Sequence, residues 1–163
     1  MMGESRNKQV KMDRERVVRG INSFLELCEL APNQVRICGG GAMVLRGVLQ
    51  TTKDLDVMVS ASVFEQLSKN GCQVVADDNG VPNLYHVTGH AFGFDVKIIV
   101  QEWDPGNGGE TTVIDYFFVE TLSAHLTWMR SNNRSKDKPL IKKLERDWES
   151  IYGKNHWRSS FPE

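Results

Sequence analysis

Residues 35–60, VRICGGGAMVLRGVLQTTKDLDVMVS, constrain the fold of this chain more than any other stretch. Val35–Cys38 is a short β-type run that stops at Gly39-Gly40-Gly41. Ala42–Arg46 has helix-forming composition, and Gly47 ends it. Thr51-Thr52-Lys53 then leads into Asp54-Leu55-Asp56-Val57-Met58-Val59, where polar and apolar residues alternate. In a strand, Asp54 and Asp56 share one face while Leu55 and Val57 share the other. Two carboxylates side by side at the start of an apolar strand are costly unless a cation sits between them. A divalent metal is the obvious candidate.

The rest of the chain must supply the sheet and the helices that cover it. With 163 residues, 40% of them hydrophobic and 25% charged, one domain with a sizeable core is expected. A net charge of −1 gives no global push toward nucleic acid or membrane. The polar start MMGESRNKQVKMDRER is no secretory signal, and no apolar run approaches the roughly 20 residues that span a bilayer. Cys28, Cys38 and Cys72 are odd in number, widely spaced and set in apolar segments. That usage fits a reducing cytoplasm and argues against a disulfide framework or a zinc knuckle. The expected organisation is a flexible start over 1–12, a domain over 13–153 and a tail over 154–163.

Helical periodicity predicts an amphipathic helix from Asp13 to Leu30 and a second from Ser60 or Ser62 to Lys69. Short strands are expected at Cys72–Val75, Leu84–Thr88 and Phe92–Val100, with turns at Asp77–Gly80 and around Gly89-His90. Asp104–Thr112 reads as a loop, Val119–Met129 as a helix and 131–138 as a polar connector. Pro139 opens a last helix whose Leu140, Leu144, Trp148 and Ile151 form one stripe. Strands alternating with helices predict an α/β or α+β domain, a mixed sheet flanked by helices.

Asp54, Asp56 and Asp95 stand out as acids in otherwise apolar strands. If the Phe92–Val100 strand pairs beside Asp54–Val59, all three can converge on one or two Mg²⁺ ions. The bland alternative gives Asp54 a capping role and gives Asp56 and Asp95 buried Lys or Arg partners. Gly39-Gly40-Gly41, between strand and helix, offers bare backbone N–H groups to an anion. A Cβ at Gly40 is therefore expected to obstruct a ligand more than it harms the fold. The four histidines lack metal-ligand spacing and read as surface or packing residues. The run from Arg130 to Arg146 is rich in Lys and Arg and hints at an anionic partner.

The pattern Gly39-Gly40-x-Ala42, Leu45-x-Gly47, Thr52-x-Asp54-Leu55-Asp56-Val57, with the later Gly93-Phe94-Asp95-Val96, resembles the signature of the polymerase-β-type nucleotidyltransferases. It is most similar to the small, minimal members associated with abortive infection and toxin–antitoxin pairs. The resemblance implies a mixed sheet with C-terminal helices, and Mg²⁺ or Mn²⁺ held by Asp54, Asp56 and Asp95 as metal and catalytic residues. It assigns Gly39, Gly40, Arg46, Thr52 and Lys53 to the NTP. The implied reaction moves a nucleoside monophosphate onto a hydroxyl of an RNA such as tRNA, a partner protein or a small molecule, and pyrophosphate leaves. Relatives often carry a Lys in the helix after the sheet. Residues 119–126 have none, so Arg130, Lys136 or Arg46 are its candidate substitutes. The alternative from another class is a non-catalytic, antitoxin-like module that binds a nucleotide or a partner.

Overall fold

The computed structural model describes residues 11–70, 72–87 and 95–152, with side chains described as far as Arg146. The expected Gly89-His90 turn, Thr88 and residues 92–94 of the predicted strands, the Gly71 helix stop, the Trp148 and Ile151 side chains, residues 1–10 of the expected start and the 154–163 tail lie outside them.

Helix α1 (Arg14–Leu27) starts where Asp13 accepts from the Arg16 backbone N–H at 3.0 Å, and it buries Val17, Ile21, Phe24 and Leu25. Strand β1 (Arg36–Cys38) runs directly into α2 (Gly39–Arg46), so the three glycines are the first turn of the helix and not a loop before it. Gly47, at φ 84°, ends α2 in the left-handed region that glycine tolerates. Then follow β2 (Leu55–Val59) and α3 (Ala61–Lys69), the latter capped by the Ser60 hydroxyl. After them come β3 (Val74–Ala76), β4 (Leu84–Val87), β5 (Val96–Val100), β6 (Thr111–Ile114), β7 (Phe117–Glu120), α4 (Leu122–Asn132) and α5 (Lys138–Tyr152).

Among the described residues, seven strands form one mixed sheet in the order β3-β4-β5-β2-β1-β7-β6. β2 is antiparallel to β1 and parallel to β5, so the pairing on which convergence of the acids was conditional is present. One sheet face carries Ile37, Leu55, Val57, Val59, Val96, Ile98 and Val119 into a core shared with α1, α2 and α3. A smaller cluster of Met43, Leu122, Leu126, Met129 and Leu144 joins α2 to α4 and α5.

Three expectations are corrected here. Thr111 and Thr112, expected in a loop, and Val119 and Glu120, expected to start a helix, instead belong with the unassigned residues between them to a hairpin, β6–β7, turned by Asp115 and Tyr116 at φ 52° and 71°. That turn uses two left-handed residues without glycine, so the usual signal is missing. The flexible start does not reach residue 12, because Met12 is fully buried and exchanges backbone hydrogen bonds with Thr52 at 2.7 and 3.0 Å. Finally, Cys28 and Cys72 form a disulfide, with Cα atoms 5.9 Å apart across 44 residues of sequence. The ends of α1 and α3 bring them together; Cys38 stays free and buried.

Candidate active site

Residues opposite one another on paired strands share a face. Cys38 faces Asp56, Asp56 faces Lys97, and Lys97 faces His86. The pairing of Ile37 with Val119 sets Glu120 beside Cys38. One row therefore crosses the sheet on the face away from α1: Glu120, Cys38, Asp56, Lys97, His86. Asp54 and Asp95 sit two residues before Asp56 and Lys97 and belong to the same face.

The three acids share that face but have different partners. Lys97 Nζ donates to Asp54 Oδ2 at 3.4 Å. Asp95 Oδ2 accepts from His86 Nδ1 at 2.9 Å, and His86 Nε2 reaches Asp77 Oδ1 at 3.0 Å. Among the described residues, no three His, Cys, Asp or Glu come together in a group that could hold a metal. Two acids thus have basic partners, though not those of the bland alternative: Asp54, expected to cap, takes Lys97, and Asp95 takes a histidine in place of a Lys or Arg. Asp56 does not: its Oδ1 is sealed from solvent and has no hydrogen-bond partner among the described residues.

The electrostatics follow from that arrangement. Burial pushes the Asp56 carboxyl up to about 6, against the pull of Lys97, and the charges of Asp54 and Glu120 add to the rise. Burial works against the Lys97 ammonium, but Asp54 and Asp56 outweigh it and hold its pKa above the ordinary value. His86 is raised in the same way: burial opposes its charge, and the bonds to Asp77 and Asp95 prevail. The Cys38 thiol is pushed well up, by burial first and then by Glu120.

The glycine turn is filled from within the chain. Gly39 N–H donates to Glu120 Oε1 at 2.7 Å, and His125 Nδ1 lies 3.0 Å from the same oxygen. A helix N-terminus attracts an anion, and here Glu120 supplies it. Gly40 faces Thr52, and a Cβ on Gly40 would stand 2.1 Å from Thr52 Oγ1 and 3.0 Å from Thr52 Cβ. The glycine is needed for that close approach, so the expectation that a Cβ there would chiefly obstruct a ligand is corrected. Arg46 Nη1 donates to the Glu120 carbonyl at 3.1 Å, and Thr52 Oγ1 donates to the Asp54 carbonyl at 3.3 Å. Lys53 is exposed.

Lys97, Glu120, His86 and His125 were missed as site residues. Lys97 follows Asp95 by two, so the alternation that joined Asp54 to Asp56 already carried its signal. Glu120 was hidden by the unrecognised hairpin. His86 and His125, read as surface or packing histidines, each also contact carboxylates, and His125 packs in a stack on Trp128. In the basic run, Arg130 pairs with Glu145, and Arg134 pairs with Asp137 at 2.7 Å while lying 4.7 Å above the Trp128 ring. Lys136, Lys138, Lys142 and Lys143 are exposed.

A divalent cation fits Asp56 on one observation, its partnerless buried oxygen, with Asp54 on the same face as a second carboxylate. To take part, Asp54 has to share or release Lys97.

No protein-family model and no curated protein matches the sequence. Among solved structures, the chain is similar to JHP933 from Helicobacter pylori, with a TM-score of 0.51 and 13% identity, covering 85% of this chain and 67% of that one. It is similar also to TM1012 from Thermotoga maritima, described as a candidate nucleotidyltransferase. There the TM-score is 0.54 and the identity 13%, covering 83% of this chain and 96% of that one. At such identity the likeness concerns architecture alone: a mixed seven-stranded sheet with C-terminal helices, the nucleotidyltransferase-like fold.

Proposed function

We propose that this chain is a metal-dependent nucleotidyltransferase. It moves a nucleoside monophosphate from an NTP such as ATP to a hydroxyl, and pyrophosphate is released. The observation that carries the reading is Asp56: a buried carboxylate oxygen without a partner among the described residues, beside Asp54, on the polar face of a nucleotidyltransferase-like sheet. A buried polar atom left unpaired is expensive, and a ligand that completes it is the usual reason for keeping it. Mg²⁺ or Mn²⁺, when bound, supplies positive charge for the phosphates of the donor. Asp56 and Asp54 hold it. Lys97, which Asp54 and Asp56 keep protonated, can then turn toward a phosphate oxygen, a role that needs no lysine in α4. Asp95, held by His86, is the acid available to accept the proton of the attacking hydroxyl. Acceptors that fit the reading are a tRNA 3′ end, a Tyr or Ser of a toxin–antitoxin partner protein, or a small hydroxylated molecule. NTP chemistry suits a cytoplasmic setting, in which reduction would open the Cys28–Cys72 bond. Among the described residues no helix is long and apolar enough to cross a membrane.

A second reading has its own support. Lys97 on Asp54 and His86 on Asp95 satisfy two of the three acids without any ligand, as expected of a non-catalytic nucleotide- or partner-binding module. Two measurements separate the readings. Mg²⁺ or Mn²⁺ should raise the melting temperature by linkage, and Asp56→Asn should remove most of that rise. Wild type incubated with labelled NTPs and cell extract should pass label to RNA, protein or a small molecule. Equal metal shifts in both proteins would make the acids structural. Nucleotide binding without any transfer would favour the module.

A further inference from the structure

Arg36 is a buried cation to which the described residues offer no counter-charge. It lies on the polar face of β1, two positions before Cys38, and is only 6% exposed. Its Nη1 donates to the Glu110 carbonyl at 3.5 Å and to Thr111 Oγ1 at 3.4 Å, both long contacts. Nη2 points at Met58 Sδ, 3.2 Å away, and Nε has no partner. None of the ion pairs among the described residues includes Arg36. The Nε–Nη2 edge of a guanidinium is the planar fork that matches two oxygens of a phosphate or carboxylate. Among the described residues that fork meets the Met58 thioether, and the guanidinium also bonds the Cys38 thiol; both are weak sulfur partners that carry no full counter-charge. Glu120 and Asp56 lie beyond Cys38 and offer no oxygen to the fork.

A charge buried without a partner is strongly unfavourable, so its retention asks for a ligand that is present only part of the time. Met58 on β2 and Phe118 on β7 flank Arg36 in register. Trp103 lies 6.1 Å from Phe118, on the connection that ends at Glu110, whose carbonyl meets Arg36. Two residues along β1, about 7 Å at a strand's rise, separate Arg36 from the row that holds Asp56.

We infer that the Nε–Nη2 edge of Arg36 is an anion subsite that takes a phosphoryl group beneath residues 101–110. A phosphoryl group offers an oxygen to each arm of the fork and, unlike a carboxylate, carries up to two negative charges to set against the buried guanidinium. The subsite needs no metal and stands whether or not the protein transfers nucleotides.

The test is done in EDTA, so that the carboxylates take no part. Wild type, Arg36→Met and Arg36→Lys are melted against rising inorganic phosphate, pyrophosphate, ATP and, as a carboxylate control, acetate at matched ionic strength. Wild type should be stabilised by at least one phosphoryl compound and not by acetate. Arg36→Met should need about tenfold more of it or show no response, and Arg36→Lys should fall between. Inorganic phosphate acting alone identifies a simple phosphate site. A response confined to pyrophosphate or ATP identifies a nucleotide subsite. No response of wild type, a response to acetate alone, or equal responses of wild type and Arg36→Met would overturn the assignment. If Arg36→Met does not fold, ³¹P line broadening of the compounds by wild type and Arg36→Lys decides. Equal broadening overturns the subsite, and weaker broadening with Arg36→Lys supports it.

Discussion

The two faces of the central sheet are built from the same strands and obey opposite rules. On the face toward α1, α2 and α3, Leu55, Val57 and Ile98 are fully buried among hydrocarbon, and each contributes stability at little cost. On the other face, Asp54, Asp56, Lys97, Arg36 and Cys38 alternate with them residue by residue. Here almost every group is held by a compensation: Lys97 for Asp54, His86 for Asp95, His125 and Gly39 N–H for Glu120. Among the described residues two buried polar atoms are left without one, Asp56 Oδ1 and Arg36 Nε. The contrast separates what holds this molecule together from what it can act with. The apolar face can bear the cost of the polar one.

Truncating the apolar face should give the largest effect. Leu55→Ala removes a fully buried side chain between Asp54 and Asp56, and about 3 kcal/mol should be lost in a urea melt. A loss under about 1 kcal/mol would mean that this face is less tightly packed than the contrast requires. Gly40→Ala comes next, at about 2 kcal/mol, because its Cβ meets Thr52. Thr52→Ala in the same chain should recover only part of that, since Oγ1 leaves and Cβ remains. Full independence of the two changes would refute the contact.

Asp56→Asn should have the opposite sign. The Asp56 carboxyl titrates at about 6 in the fold against an ordinary value of 3.8, so the unfolded state gives up its proton first as pH rises. Stability is therefore lost between about pH 4 and 6 and stays lower above that range. The shift corresponds to at most about 3 kcal/mol, and burying the Asn amide takes back part. Without metal, Asp56→Asn should thus be about 1–2 kcal/mol more stable than wild type at pH 7.5. The two should converge near pH 4. A mutant that is less stable at pH 7.5 would show that Asp56 belongs to the supporting side of the comparison.

How far the sequence reveals this arrangement depends on whether a feature is local. The two-residue period of Asp54–Val59 was enough to predict β2 and its acid face, while the pairing beside β5 entered only as a condition that the structure meets. The same period extended from Asp95 reaches Lys97. Asp95's turn toward His86 could not be read, because it depends on β4 lying in register with β5. Glu120 was lost with the β6–β7 hairpin, whose Asp115-Tyr116 turn adopts a conformation that the residue types do not announce. The disulfide was out of reach for a different reason. Cys28 and Cys72 meet only because two helices distant in sequence end at the same place.

Met12 has a mechanical consequence. Its backbone is bonded in both directions to Thr52, and Thr52 is the residue that Gly40 approaches. A load applied to the amino-terminal end of the chain is therefore carried sideways into the linker before the acid strand, and from there to the start of α2, before any of it reaches α1. An affinity tag or surface tether fixed at that end pulls on the candidate site, whereas one fixed through the exposed tip at Tyr116 pulls on the edge of the sheet.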